Sequence, residues 1–523
     1  MLGQIKIKGE SLSTGDGLPK NQRVPLAAKK IWFFRAAAIV VGLFPLVLFE
    51  IGLHLFGWAS PDGVADPYIG FTEIRPLFEL SSSGEKYEIS DARKPLFCSD
   101  EFLQEKPPRQ FRVFCVGGST VQGRPFATET SFSTWLELML KAADDSKDWD
   151  VVNCGGVSYA SYRLAPIVEE IVNYQPDLIV LYTGHNEFLE DRTYEAVKTA
   201  SPFVVRTHER LSAFKTYSFV RSCFATNQNQ QSVSQLPPEV EARLDFRNGL
   251  SAYSRDDDWK RDVVRHFEHN LRRMIRATTK ENSIPLILCN PVSNLLDASP
   301  FKSEFSEPLS DEQRKRFEEA LLVDPTPNKS VKSKNVVMRS NLEDRIKLLV
   351  ELNRLDSRYA DLHYQLGQAY YESGDFAKSK QHLLTAKEED VCPLRIIEPM
   401  YDVIERIRSE HTNVGATKSK RGRVDFVDVK AFFESKANGG MIGRDQLIDH
   451  VHPTIHGHQL IAELLFKKMV ERGDVSVGAD FESKRKAIFQ QHLESLSHMY
   501  FELGKDRLDG LKRWAEGRVT REK

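Results

Sequence analysis

From residue 111 onward the chain switches repeatedly between two hydrophobic patterns. Residues 111–116 form a short apolar run that stops at Gly117 and Gly118, as a buried strand does. Residues 132–142 then place Phe132, Trp135, Leu136, Met139 and Leu140 on one side of a helical period. The same pairing recurs. Val151-Val152, residues 177–182 and residues 285–289 predict strands, while 164–174 and 261–280 predict helices. Residues 424–428 supply a last strand, 459–470 a helix, and 481–518 further helix with Ile488, Leu493, Leu496, Tyr500, Leu503 and Trp514 as apolar positions. Strands and helices in alternation predict an α/β fold, a three-layer sandwich in which helices cover both faces of a mainly parallel sheet.

Three stretches depart from this pattern. Residues 59–110 are rich in Pro, Ser, Gly and charge without a sustained period, and read as an irregular linker packing on the catalytic domain. Residues 192–260 include the polar run Asn227, Gln228, Asn229, Gln230 and Gln231, expected as an excursion near the site. Between 341 and 411 the chain turns helical. There Leu366-Gly367, Tyr370, Gly374-Asp375-Phe376, Leu383 and Ala386 resemble one tetratricopeptide repeat, with Ser379 where alanine is usual. Flanking helices at 342–355 and 396–407 are candidate stacking partners. Such an insertion is either a structural support or a surface for a protein partner. The domain division that follows is a tail (1–30), a membrane segment (31–58), the linker (59–110), two parts of a catalytic domain (111–340 and 412–475) around the insertion (341–411), and C-terminal helices (476–523).

Composition narrows the setting. With 72 basic and 74 acidic residues the net charge is -2, so no broad positive field exists to hold nucleic acid. Within 31–58, Ala36 to Phe49 contains no charged side chain, and roughly 20 apolar residues suffice for a helix to cross a bilayer. Lys6, Lys8, Lys20, Arg23, Lys29 and Lys30 precede it against Glu10 and Asp16, which predicts a single-pass membrane protein with a cytoplasmic N-terminus and an extracytoplasmic, periplasmic catalytic domain. A cleaved signal ending near the small residues Gly57 and Ala59 is the competing expectation. Of six cysteines, Cys115, Cys154 and Cys289 end strand-like runs and read as buried free thiols, whereas Cys98, Cys223 and Cys392 are open to pairing.

The chemistry sits in three separated motifs: Gly117-Gly118-Ser119-Thr120, Gly184-His185-Asn186-Glu187 and Asp449-His450-Val451-His452-Pro453. The first places a serine at the carboxyl edge of a parallel sheet, where ligands bind in open α/β folds, and at the start of a helical turn. The second offers the Asn186 amide to a developing oxyanion. In the third, Asp449 stands three residues before His452, so one turn can bring the carboxylate to one ring nitrogen and leave the other for the serine proton. His450, His456 and His458 crowd this region. They raise a metal site as a possibility, but no further ligand cluster accompanies them.

Taken together, these blocks resemble the SGNH (GDSL-type) hydrolase superfamily, with Ser119, Asn186 and His452 at its Ser, Asn and His positions and Asp449 in the Asp-x-x-His position. The resemblance implies a flavodoxin-like sandwich and a Ser119, His452, Asp449 triad acting on an acyl ester, with no cofactor and no metal. It also implies an oxyanion hole from Ser119, Asn186 and a backbone donor in Asn153-Cys154-Gly155-Gly156-Val157-Ser158. Aligning on Asn153 puts Ser158 where a glycine is expected, with Gly156 as the alternative. Gly118 and Glu187 replace residues that are usually Asp, and with Gly156 they are expected to support the site. Esterase or deacylase action on acylated envelope carbohydrate or small acyl esters is the leading expectation. An O-acyltransferase for exported polysaccharide, or an adaptor with an inactive hydrolase domain, are the alternatives.

Overall fold

The structure is a computed structural model that describes residues 76–190, 249–321, 342–412 and 422–515, together with Thr216 and some positions between 42 and 53. The chain divides into two compact units, Met1–Ala65 with Thr199–Val233, and Asp66–Lys198 with Ser234–Lys523. In the first, the described positions are helical, and the Thr216 N–H donates to Glu50 Oε2 at 2.7 Å. The expected membrane segment at 31–58 and most of the 192–260 excursion lie outside the described residues. Among those described, no helix is long and apolar enough to cross a membrane.

The second unit opens with β1 (Phe78–Leu80), β2 (Lys86–Ile89) and β3 (Glu101–Leu103), a small antiparallel sheet where an irregular linker was expected. Strands of three or four residues are too short for alternation to register as a period. What holds them is aromatic packing. Phe78 and Phe102 meet at 4.9 Å between ring centroids, and Phe102 lies 5.3 Å from Phe114 in the main sheet.

Then follow β4 (Gln110–Gly117), α1 (Ser119–Gln122), α2 (Phe132–Ala143), β5 (Asp148–Gly155), α3 (Ser161–Ile171), β6 (Leu178–Tyr182), α4 (Asp257–Ile275) and β7 (Leu286–Cys289). After α5 (Asp311–Leu321) come the insertion helices α6 (Leu342–Leu355), α7 (Ala360–Glu372) and α8 (Phe376–Glu388). The chain ends through α9 (Glu398–Thr412), β8 (Val424–Val427), α10 (Val429–Lys436), α11 (Ile455–Arg472), α12 (Phe481–Ser495) and α13 (His498–Ala515).

Strands β4 to β8 form one parallel sheet in the order β5-β4-β6-β7-β8. Counted along the chain, that order is 2-1-3-4-5, the flavodoxin-like winding whose reversal lies between the first and third strands. Alternation along β4 builds the two cores. Val113 and Cys115 pack with Trp135, Leu136 and Met139 of α2 and Ile461 and Leu465 of α11. Phe114 and Val116 face the other way, onto Leu164 and Val168 of α3, Phe267 and Leu271 of α4, and Met400 and Ile404 of α9. Each large side chain so buried contributes roughly 1.5–3 kcal/mol.

Helix α9 therefore covers the sheet, although its sequence offered it as a stacking partner for the insertion. On the other flank, α6 does pack on α7 through Leu349, Leu352, Leu362 and Leu366. Ser379 of α8 donates to the Gly367 carbonyl at 2.8 Å, so a small hydroxyl serves where alanine was expected. The thiols of Cys98, Cys115, Cys154 and Cys289 are free, which removes the open pairing of Cys98; Cys392 is buried, and Cys223 lies outside the described residues.

Candidate active site

The winding reversal brings the ends of β4 and β6 side by side, and with them Ser119 and Asn186. Backbone packing here tolerates no side chain on β4's last residue: a Cβ on Gly117 would lie 2.2 Å from the Tyr182 carbonyl oxygen of β6. Immediately after it the chain turns into α1, which has only four residues. A helix that short has little macrodipole. The stabilisation expected there comes instead from the Ser119 and Thr120 N–H groups at its start, which have no intrahelical acceptor.

Ser119 is buried, and its Oγ lies 2.8 Å from His452 Nε2. His452 Nδ1 lies 2.7 Å from Asp449 Oδ2. The other carboxylate oxygen accepts the backbone N–H groups of Val451 at 2.9 Å and His452 at 2.8 Å, so one aspartate both folds the turn and orients the ring. Burial alone would raise the Asp449 carboxyl. The charge and hydrogen bond of His452, with the two backbone donors, outweigh it and hold the group well below the usual carboxylate range. Asp449 is thus favoured as an anion beside His452 Nδ1, and a ring with its proton on that nitrogen leaves Nε2 free to accept from Ser119.

The residues expected to form an oxyanion hole lie on three loops. Asn186 has a left-handed backbone, φ 66°, and its Nδ2 would lie 3.5 Å from a Cβ placed on Gly118, the residue before Ser119. Ser158 has φ 64°, the conformation that glycine adopts most readily, which fits its place at the expected glycine position. The Gly156 alternative is corrected by its hydrogen bonding: its N–H is committed to the Gly117 carbonyl at 3.0 Å. Asn153 fixes this turn from below, donating through Nδ2 to the Val121 carbonyl at 2.7 Å and accepting the Gly155 N–H at 2.9 Å. Glu187 is buried and accepts the Ser161 N–H at 2.7 Å and its hydroxyl at 3.0 Å, which caps α3.

The neighbouring histidines go to separate surroundings. His450 stacks on Phe301 at 4.1 Å, donates Nε2–H to the Ser299 carbonyl, and is pushed down to about 4 by burial and then by the Arg395 charge. His456 is exposed at the start of α11. His458 is buried, accepts the Phe132 N–H at Nδ1 and is pushed down to about 3, first by burial and then by His452. His185 is likewise pushed down to about 3 by burial, with its Nδ1 accepting the Ile396 N–H at 3.1 Å. Among the described residues, no group of His, Cys, Asp or Glu is placed to hold a metal ion.

Sequence reasoning passed over Asn294 and Arg395, both buried beside the histidine loop. Asn294 follows β7 in Asn290-Pro291-Val292-Ser293-Asn294, and a polar residue after a strand's carboxyl end was the available signal. Arg395 carried none, because nothing in its local pattern separates a buried arginine from an exposed one.

No family model matches this chain, and no curated protein matches it. Among solved structures it is similar to a protein assigned to the lipolytic G-D-S-L family from Desulfitobacterium hafniense, at 9% identity and a TM-score of 0.28, over 68% of this chain and 99% of that one. It is also similar to a lipase/acylhydrolase from Enterococcus faecalis, at 10% identity and a TM-score of 0.31, over 71% of this chain and 99% of that one. A third likeness is LAE5, an alpha/beta hydrolase enzyme from the metagenome of Lake Arreo in Spain, at 12% identity and a TM-score of 0.27, over 69% and 95% of the two chains. Likenesses this distant do not decide the chemistry of Ser119.

Proposed function

We propose that this chain is a serine esterase or deacylase of the SGNH type, anchored in a membrane by residues 31–58. The observation that carries the reading is the continuous hydrogen-bonded path from Ser119 Oγ through His452 to Asp449 at the winding reversal of the sheet. Ser119 attacks the ester carbonyl as its proton passes to His452 Nε2, and Asp449 stabilises the imidazolium that forms. Charge on the former carbonyl oxygen is met by the N–H groups of Ser119 and Ser158 and by Asn186 Nδ2. His452 then protonates the leaving alcohol, and water releases the acyl group. The apolar, uncharged run from Ala36 to Phe49 and the basic residues before it support the anchor.

Full-length protein in detergent is expected to release p-nitrophenol from p-nitrophenyl acetate, to do so in the presence of EDTA, and to form free acetate in equal amount. Folded protein that releases none would count against esterase action. Acetate appearing on an added oligosaccharide instead of in solution would replace hydrolysis by acyl transfer.

A further inference from the structure

The segment that returns the chain from the helical insertion touches both halves of the catalytic apparatus. On one side, the Leu394 carbonyl accepts the Asn186 N–H at 3.2 Å and the Ile396 N–H donates to His185 Nδ1 at 3.1 Å. Ile396 fills the space beside Gly184, where a Cβ would lie 2.6 Å from its Cδ1, so the oxyanion loop is moulded against this segment. On the other side, Arg395 is 3% exposed and its Nη1 donates to the carbonyls of Asn294 at 3.1 Å and Ala298 at 3.0 Å. Asn294 carries the connection onward. Its N–H donates to the His450 carbonyl at 2.9 Å and its Nδ2 to the Asp449 carbonyl at 3.1 Å, one turn from His452.

The segment is itself held. Asp390 is buried, lies 3.6 Å from Arg395 Nη2, and accepts the N–H groups of Phe301, Lys302 and Cys392. Helix α7 reaches the same loop, because Tyr364 and Gln368 both donate to the Leu296 carbonyl. Leu295 and Leu296 in turn donate their N–H groups to the Ile442 carbonyl, at the root of the histidine loop. Leu383 of α8 packs on Leu295 and Met441.

We propose that residues 390–397 form a strap that keeps Asn186 and the Asp449–His452 turn in register, with Arg395 as its positioning residue and the helical insertion as its brace. The proposal rests on the serine-hydrolase reading and gives the insertion a part in it. Ser119 and Asn186 share the β4–β6 sheet edge, but His452 arrives on a loop 266 residues after Asn186 in the chain. Displacing a catalytic group by about 1 Å can cost on the order of 100-fold in rate, so a connection between the two loops has a direct catalytic consequence.

The test compares Arg395→Lys and Asn294→Ala with wild type. Arg395→Lys keeps a positive charge but loses the planar guanidinium whose Nη1 donates to both carbonyls while its Nη2 lies toward Asp390. Each variant is expected to retain its melting temperature within a few degrees, to react with a fluorophosphonate at Ser119 about tenfold more slowly, and to lower kcat for p-nitrophenyl acetate with KM little changed. Because both act on one path, the double variant should be little slower than the slower single. A folded Arg395→Lys that labels at the wild-type rate, or single effects that multiply in the double variant, would overturn the strap. If Arg395→Lys does not fold, Asn294→Ala alone decides by the same two rates. A wild type that is never labelled strikes the hydrolase reading instead. The strap is then judged by the proton resonance of the His452–Asp449 hydrogen bond, which must shift in Asn294→Ala if the path exists and stay unchanged if it does not.

Discussion

Replacing His452 by alanine is expected to lower kcat/KM for p-nitrophenyl acetate by on the order of 10⁶ if chemistry limits the rate, because nucleophile and base act as one unit. The reason is local. Ser119 Oγ has one ring nitrogen 2.8 Å away to take its proton, and the other histidines cannot substitute. His185 and His458 are held neutral in the interior with their Nδ1 atoms already accepting backbone N–H groups, and His450 is occupied by Phe301 and the Ser299 carbonyl. Steady-state turnover of the purified variant checks this; activity within tenfold of wild type would move the base elsewhere.

Asp449→Asn is expected to cost about 10⁴ in kcat while leaving the protein folded, since a comparable exchange in serine proteases traps the wrong imidazole tautomer. In Asp449, Oδ1 accepts the Val451 and His452 N–H groups and Oδ2 faces His452 Nδ1. The asparagine carbonyl can keep both backbone donors, which turns its NH₂ toward Nδ1. That nitrogen must then accept, the ring proton moves to Nε2, and Nε2 can no longer take the proton of Ser119. The loss should appear in kcat, with an unchanged melting temperature. An equal loss accompanied by a large drop in melting temperature would assign Asp449 a structural role only.

Both residues, and the sheet that positions Ser119, were legible in the sequence for a physical reason. Buried parallel strands are continuous apolar runs, and their carboxyl ends are marked by Gly117-Gly118 and Gly184; the β6 backbone leaves no room for a Cβ at Gly117, and the Ile396 side chain leaves none at Gly184. The Asp449–His452 relation is a matter of one turn, hence of local spacing. Other features depend on partners far away in the chain. Strands β1 to β3 are too short to show a period. That Gly156 cannot serve the oxyanion follows only from the register of β4 and β5, which places its N–H on Gly117. Arg395 and Asn294 meet across 101 residues, so neither residue's neighbourhood announces the contact. The helical insertion was visible as helix, but its docking on Leu295, Leu296 and Met441 was not.

Every step proposed for this site depends on Ser119 being a nucleophile activated by His452. Intact-mass and peptide mass spectrometry of the full-length protein after treatment with a fluorophosphonate tests it most directly. One adduct per chain is expected, on Ser119, absent from Ser119→Ala and strongly slowed in His452→Ala. A folded wild-type protein that takes up no adduct, or one modified at another serine, would contradict it.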